Sequence, residues 1–197
     1  MMNRGLRHEQ GSGLIVVIMV VALLIGIGIP LLTLTSMSPK VAGAMRYHEE
    51  AFNVAEAGFD AARLLIEQNM TGGAWTDFAG HYLTQPTGID IPMILGVPNS
   101  SYFRRLTDQE ILQALDQNGD GTADVPNLLY FQQTFATNGQ GQTDLRYTYT
   151  VFLINNEAGG GLANHTDALL VSIGTVRAGT RVLDSVRLEV LVAFQAE

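Results

Sequence analysis

The chain has 197 residues, a formal net charge of −8, 47% hydrophobic residues and no cysteine. Its length suits one domain of ordinary size plus an appendage. Without cysteine there is no disulfide and no thiol chemistry, and the acidic balance excludes nucleic acid as a default partner.

Hydrophobicity is concentrated near the start. Leu14 to Leu34 carries no charge and matches the roughly 20 residues of a membrane-spanning helix. Arg4 and Arg7 precede it, so the short leader is expected on the cytoplasmic side and the acidic remainder outside, in a periplasm or its equivalent. A secretory signal peptide, with Ala42-Gly43-Ala44 as its cleavage site, fits poorly because an h-region runs about 7–15 residues. An uncleaved anchor and a leader cut after Gly11, just before Ser12, both fit.

Beyond the span, apolar or small residues recur at Val41, Ala44, Met45, His48, Ala51, Phe52, Ala55, Phe59, Ala62, Leu65 and Ile66. Steps of three and four predict an amphipathic helix over about 40–68, with Arg46, Glu49, Glu50, Glu56, Asp60, Arg63 and Glu67 on its other face. Interruptions are expected near Gly26, Gly28, Pro30 and Pro39, as kinks or local melting. Asn69 to Gly73 supplies the stop.

Two segments then carry a resemblance. Gln10-Gly11-Ser12-Gly13-Leu14-Ile15-Val16-Val17, followed by Ala51-Phe52-Asn53-Val54-Ala55-Glu56-Ala57-Gly58, resembles the N-terminal region of PilX-type minor type IV pilins. The similarity covers residues 10 to about 68. It implies a leader (1–11) removed by prepilin peptidase, a methylated amine at Ser12, a long bent helix (12–69) and a periplasmic head (70–197). It further implies an inner-membrane subunit that moves to the pilus and initiates or caps it. The implied partners are other minor pilins, the major pilin and a PilY-like adhesin. Mature position five, where filament-forming pilins carry glutamate, falls on Val16. A GspK-like tip pseudopilin of a type II secretion system is the nearest alternative, although such heads usually carry a larger helical insertion.

The middle, 70–143, reads as loops with short elements. Trp75, Tyr82 and Phe103 are expected in a satellite core. Thr107 and Glu110 have capping-box spacing, which predicts a short helix to Leu115. Directly after it, Asp116, Asn118, Asp120, Thr122 and Asp124 resemble the first nine positions of an EF-hand-type loop: alternate oxygens could converge on calcium, with Gly121 at the bend. Asn127 replaces the expected glutamate, and a polar loop of Asx turns reads equally well.

Toward the end, period-two patterns predict half-buried antiparallel strands. They run through Leu145, Tyr147, Tyr149, Val151 and Leu153; through Leu169, Val171 and Ile173; and through Val186, Leu188, Val190, Val192 and Phe194. Ala178-Gly179-Thr180 fits a tight turn, and Gly159-Gly160-Gly161 a looser connection. One helix over one apolar sheet face gives an α+β, pilin-like architecture. The histidines His8, His48, His81 and His165 stand at no metal-ligand spacing, and no nucleophile elbow or phosphate loop occurs. A membrane-tethered enzyme is the disfavoured alternative, and no cofactor is required beyond the candidate calcium.

Overall fold

The computed structural model describes residues 9–82, 89, 91–137, 139–154 and 166–193, with the side chains of 9–12, 30 and 32–39 outside the description. The expectations for His8, Gly159 to Gly161, His165 and Phe194 lie outside these residues. The chain divides into two compact units, Met1–Met45 and Arg46–Glu197.

Helix α1 spans Glu9–Thr71 as one helical element. Gly26, Gly28, Pro30 and Pro39 are all assigned helical, so none of them ends the helix. Within the first unit, Leu14 to Ile25 are exposed apolar residues on every side of the helix. Among the described residues no helix is long and apolar enough to cross a membrane; the expected end of the span at Leu34 falls among the side chains outside the description.

α1 stops where the sequence predicts. The Gly72 amide donates to the Gln68 carbonyl at 2.9 Å, the Asn69 side chain donates to the Leu65 carbonyl, and Gly73 takes φ +73°. That is the left-handed exit favoured by glycine.

In the second unit, strands β3 (Leu128–Thr137), β4 (Thr143–Ile154), β5 (Asp167–Ala178) and β6 (Arg181–Ala193) form an antiparallel sheet in sequence order. A small hairpin, β1 (Met93–Ile94) and β2 (Val97–Pro98), and helix α2 (Asp108–Leu115) precede it. Gly179, at φ +62°, and Thr180 make the predicted tight turn between Ala178 and its partner Arg181. The Thr107 capping box is present in both directions and starts α2.

β5 and the second half of β4 are buried on both faces, which corrects the expectation of half-buried strands for this central pair, while β3 and β6 are only partly buried. Leu153 pairs with Leu170, and Ile154 with Leu169. Tyr149, Val151 and Leu153 of β4 therefore share a face with Ala168 and Leu170 of β5, and meet Val54, Ala62 and Ile66 of α1. The alternating set Leu169, Val171 and Ile173 lies on the opposite face. It joins Phe152 and Ile154 against Ile89, Phe103, Ile111, Leu115 and Val125. The middle of the chain is thus a third layer, built from α2, a 3-10 turn at Phe103–Arg105 and the segments beside them. Two of the three expected satellite aromatics are buried, Tyr82 and Phe103, while Trp75 is partly buried and stacks on His81 at 3.8 Å. Leu145 departs from its pattern at 72% exposure.

β3, ten residues long, lies inside the stretch expected to be loops with short elements. Its pairing with β4 shifts register three times along its length.

Candidate functional site

Three groups of residues carry the sequence expectations, and each sits in a different setting. Gly11 and Ser12 are helical within α1, and Val16 is 59% exposed. With Leu14, Ile15 and Val17 it belongs to a helical surface that is apolar all round.

The second group is the Ala51-Phe52-x-x-Ala55-Glu56-Ala57-Gly58 motif. Ala51 and Ala55 are fully buried, and Gly58 is buried between them and Ala62. The reason is the closeness of α1 to the sheet. A Cβ on Gly174 of β5 would lie 2.2 Å from the Ala51 carbonyl oxygen and 2.4 Å from the Ala55 nitrogen. A Cβ on Gly58 would lie 2.6 Å from Ser172 Oγ and 2.9 Å from Tyr149 Cβ. The Ser172 hydroxyl donates to the Ala55 carbonyl at 2.7 Å, a buried hydrogen bond from sheet to helix backbone. Small residues on α1 thus face small residues on β5, and backbone nearly touches backbone. Phe52 and Glu56 point away and are exposed, and Ala57 is partly buried.

The sequence pattern located this face but not its centre. Val54 and Gly58 belong to it, whereas Phe52 is 40% exposed. His48, expected to pack within the stripe, is corrected: it is exposed and its Nδ1 lies 3.3 Å from Asp184 Oδ2 of β6. From Ala51 onward the buried side of α1 is covered largely by the chain's own sheet, with Phe59 and Leu65 partly buried. Phe52 and Leu64 on the outer side, and Val41 and Met45 before them, remain exposed. Ser172 and Gly174 were missed altogether. Their signal was available, as two small residues at period two inside an otherwise apolar strand.

The third group is the loop after α2. Asp116 accepts from the amides of Gly119 (2.8 Å) and Gly121 (3.0 Å). Asp124 accepts from the Gln117 and Asn118 amides and from the Asn118 side chain. Asp120 accepts from the Thr122 amide and hydroxyl, the hydroxyl contributing most to holding its carboxyl below the usual aspartate range. The five expected residues therefore share one loop, with their carboxylates turned onto its amides. Among the described residues, no three His, Asp or Glu side chains are grouped so as to hold a metal ion. The chain continues from this loop into β3, not into a second helix.

A long N-terminal helix docked by a small-residue seam onto an antiparallel sheet defines a pilin-like α+β protein. Residues 10–60 match the protein family described as PilX N-terminal, so the chain carries a PilX-type N-terminal segment over about a quarter of its length. No curated protein and no solved structure matches the chain.

Proposed function

We propose that this chain is a minor type IV pilin, anchored in the inner membrane by Leu14 to Leu34 and working by assembly with other pilins, not by catalysis. The PilX N-terminal match over residues 10–60 carries the reading. The charge-free stretch supports the anchor, and the basic leader ending at Gly11 supports processing to a chain that starts at Ser12.

Val16 bears on the subunit's place. A carboxylate at mature position five is costly in a membrane and is tolerated where it pairs with the terminal amine of a neighbouring subunit. Val16 cannot form that pair, and a head-to-tail filament has one position, its tip, with no subunit above. The subunit therefore belongs at the tip or in an initiating complex, in a few copies. Immunogold on sheared pili is expected to mark ends, and the intact mass of the labelled subunit is expected to begin at Ser12. Label spread along shafts would overturn the tip position. Normal piliation in a deletion strain would overturn the initiating role, and a mass beginning at Met1 the processing.

The loop Asp116–Asp124 is proposed in addition as a weak calcium site, favoured by five oxygen-bearing side chains within one stitched loop. Binding there requires Asp124 to release the Gln117 and Asn118 amides. Millimolar calcium is expected to raise the melting temperature by mass action, and Asp120→Ala to remove that rise. A melting temperature indifferent to calcium would exclude the site.

A further inference from the structure

A second region is built unlike the rest of the fold. Between α2 and the neighbouring ends of β3, β5 and β6 lies a cavity of about 320 Å³, lined by Gln109, Gln113, Asp116, Gln132, Arg177 and Thr180 among others. Two of these residues stand where the backbone departs from regular strand. Gln132 has φ +44°, inside a register shift between Tyr130 and Gln133. Left-handed backbone at a non-glycine residue is costly and persists where the surroundings impose it. Arg177 pairs with Val182 while its predecessor Val176 pairs with Asp184, so Leu183 is an extra residue on β6 at that point. Such bulges re-aim the side chains beside them.

Arg177 is also uncompensated. Its Nε is buried without a hydrogen-bond partner, and no carboxylate forms an ion pair with it among the described residues. Burial alone pushes its pKa down. The other partly buried arginine of the sheet, Arg187, is by contrast held by Asp108 and two carbonyls. A guanidinium withdrawn from water without a partner is unfavourable. Among the described residues the one carboxylate beside it on the cavity wall is Asp116, which forms no ion pair with Arg177 and is engaged by the Gly119 and Gly121 amides, so the cavity leaves a place for an anion at Arg177.

We propose that this cavity binds a small carboxylated, hydroxyl-bearing molecule of the uronic acid kind, with Arg177 taking the carboxylate. Arginine suits a carboxylate in geometry and charge. Three side-chain amides and one hydroxyl supply neutral donors and acceptors for ligand hydroxyls. The cavity volume falls in the range of small-molecule sites. Asp116 sets the charge limit. It already accepts from the Gly119 and Gly121 amides, and its own charge disfavours a dianion such as phosphate.

The test is a calorimetric and NMR titration of the full chain in detergent micelles with glucuronate, glucose and inorganic phosphate. Glucuronate is expected to saturate, with glucose at least about tenfold weaker, reflecting the lost charge-assisted bond. Arg177→Gln is expected to weaken glucuronate to the level of glucose while its ligand-free melting temperature stays equal or rises, because an uncompensated charge is removed. Gln113→Ala, at an exposed position, is expected to weaken glucuronate and glucose alike. The proposal is overturned if glucuronate fails to saturate below about 50 mM, or if wild type and Arg177→Gln bind alike. Tighter binding of phosphate overturns the carboxylate assignment, and a lower ligand-free melting temperature for Arg177→Gln overturns the uncompensated charge. Each outcome is independent of whether the subunit enters a filament.

Discussion

Replacing Gly174 by valine is expected to abolish folding of the Arg46–Glu197 unit. Even the first added carbon would lie 2.2 Å from the Ala51 oxygen and 2.4 Å from the Ala55 nitrogen, and both are helix backbone. A flexible side chain could move aside, but a helix backbone moves only as a whole, taking Val54, Ala62 and Ile66 out of the core. Overpacking commonly costs about 1–3 kcal/mol and more where backbone must shift. With a typical stability of about 5–15 kcal/mol, Gly174→Ala should lower the melting point strongly and Gly174→Val should leave no cooperative transition. Near-UV circular dichroism during heating reads this directly. Gly43→Ala is the control, since nothing lies within 4 Å of its added carbon. A Gly174→Ala protein that melts with the wild type would refute the close approach.

Arg187→Met is the second large effect expected. The Arg187 Nε donates to Asp108 Oδ1 at 2.8 Å, and its terminal nitrogens donate to the Phe103 and Leu106 carbonyls at 2.8 and 2.9 Å. One side chain of β6 thus ties the 3-10 turn and the start of α2 to the sheet. Methionine keeps much of the length and loses every donor. Two carbonyls and a largely covered carboxylate are left without this partner, for a loss of about 2–4 kcal/mol. Arg187→Lys should recover only part of it, because one ammonium cannot reproduce the fork. Urea unfolding gives the measurement. A midpoint for Arg187→Met within error of wild type would show that the Arg187 bonds are not what holds the third layer to the sheet.

Legibility in the sequence followed how local each signal was. The Thr107–Glu110 cap, the Gly179-Thr180 turn and the exit of α1 at Gly73 are settled within a few residues, and all were readable. β3 was not, because its register shifts insert residues and erase the period of two. The third layer was hidden for a different reason. Alternation by itself reads as one apolar face, yet Val151-Phe152-Leu153-Ile154 and Ala168-Leu169-Leu170-Val171 are continuous apolar runs, the pattern of strands covered on both sides. For the candidate sites, the PilX-like motif was visible as a string, but its packing depends on Ser172 and Gly174 far along the chain. Arg177 gave no signal at all, since an arginine near the end of a strand normally reads as solvent-exposed.

The order of synthesis also constrains when the seam can form. The hydrogen bond from Ser172 to Ala55 joins residues 117 apart in sequence. Each pair of neighbouring strands is connected by chain of modest length, so the sheet can zip up hairpin by hairpin at small loop-closure cost. α1 is made first and cannot cover Ala51, Val54 and Ala55 until β5 has emerged. For most of translation, then, the nascent chain displays an uncovered small-residue face on a helix with no sheet to receive it. During that interval any factor that shields α1 acts on the fold before the sheet can.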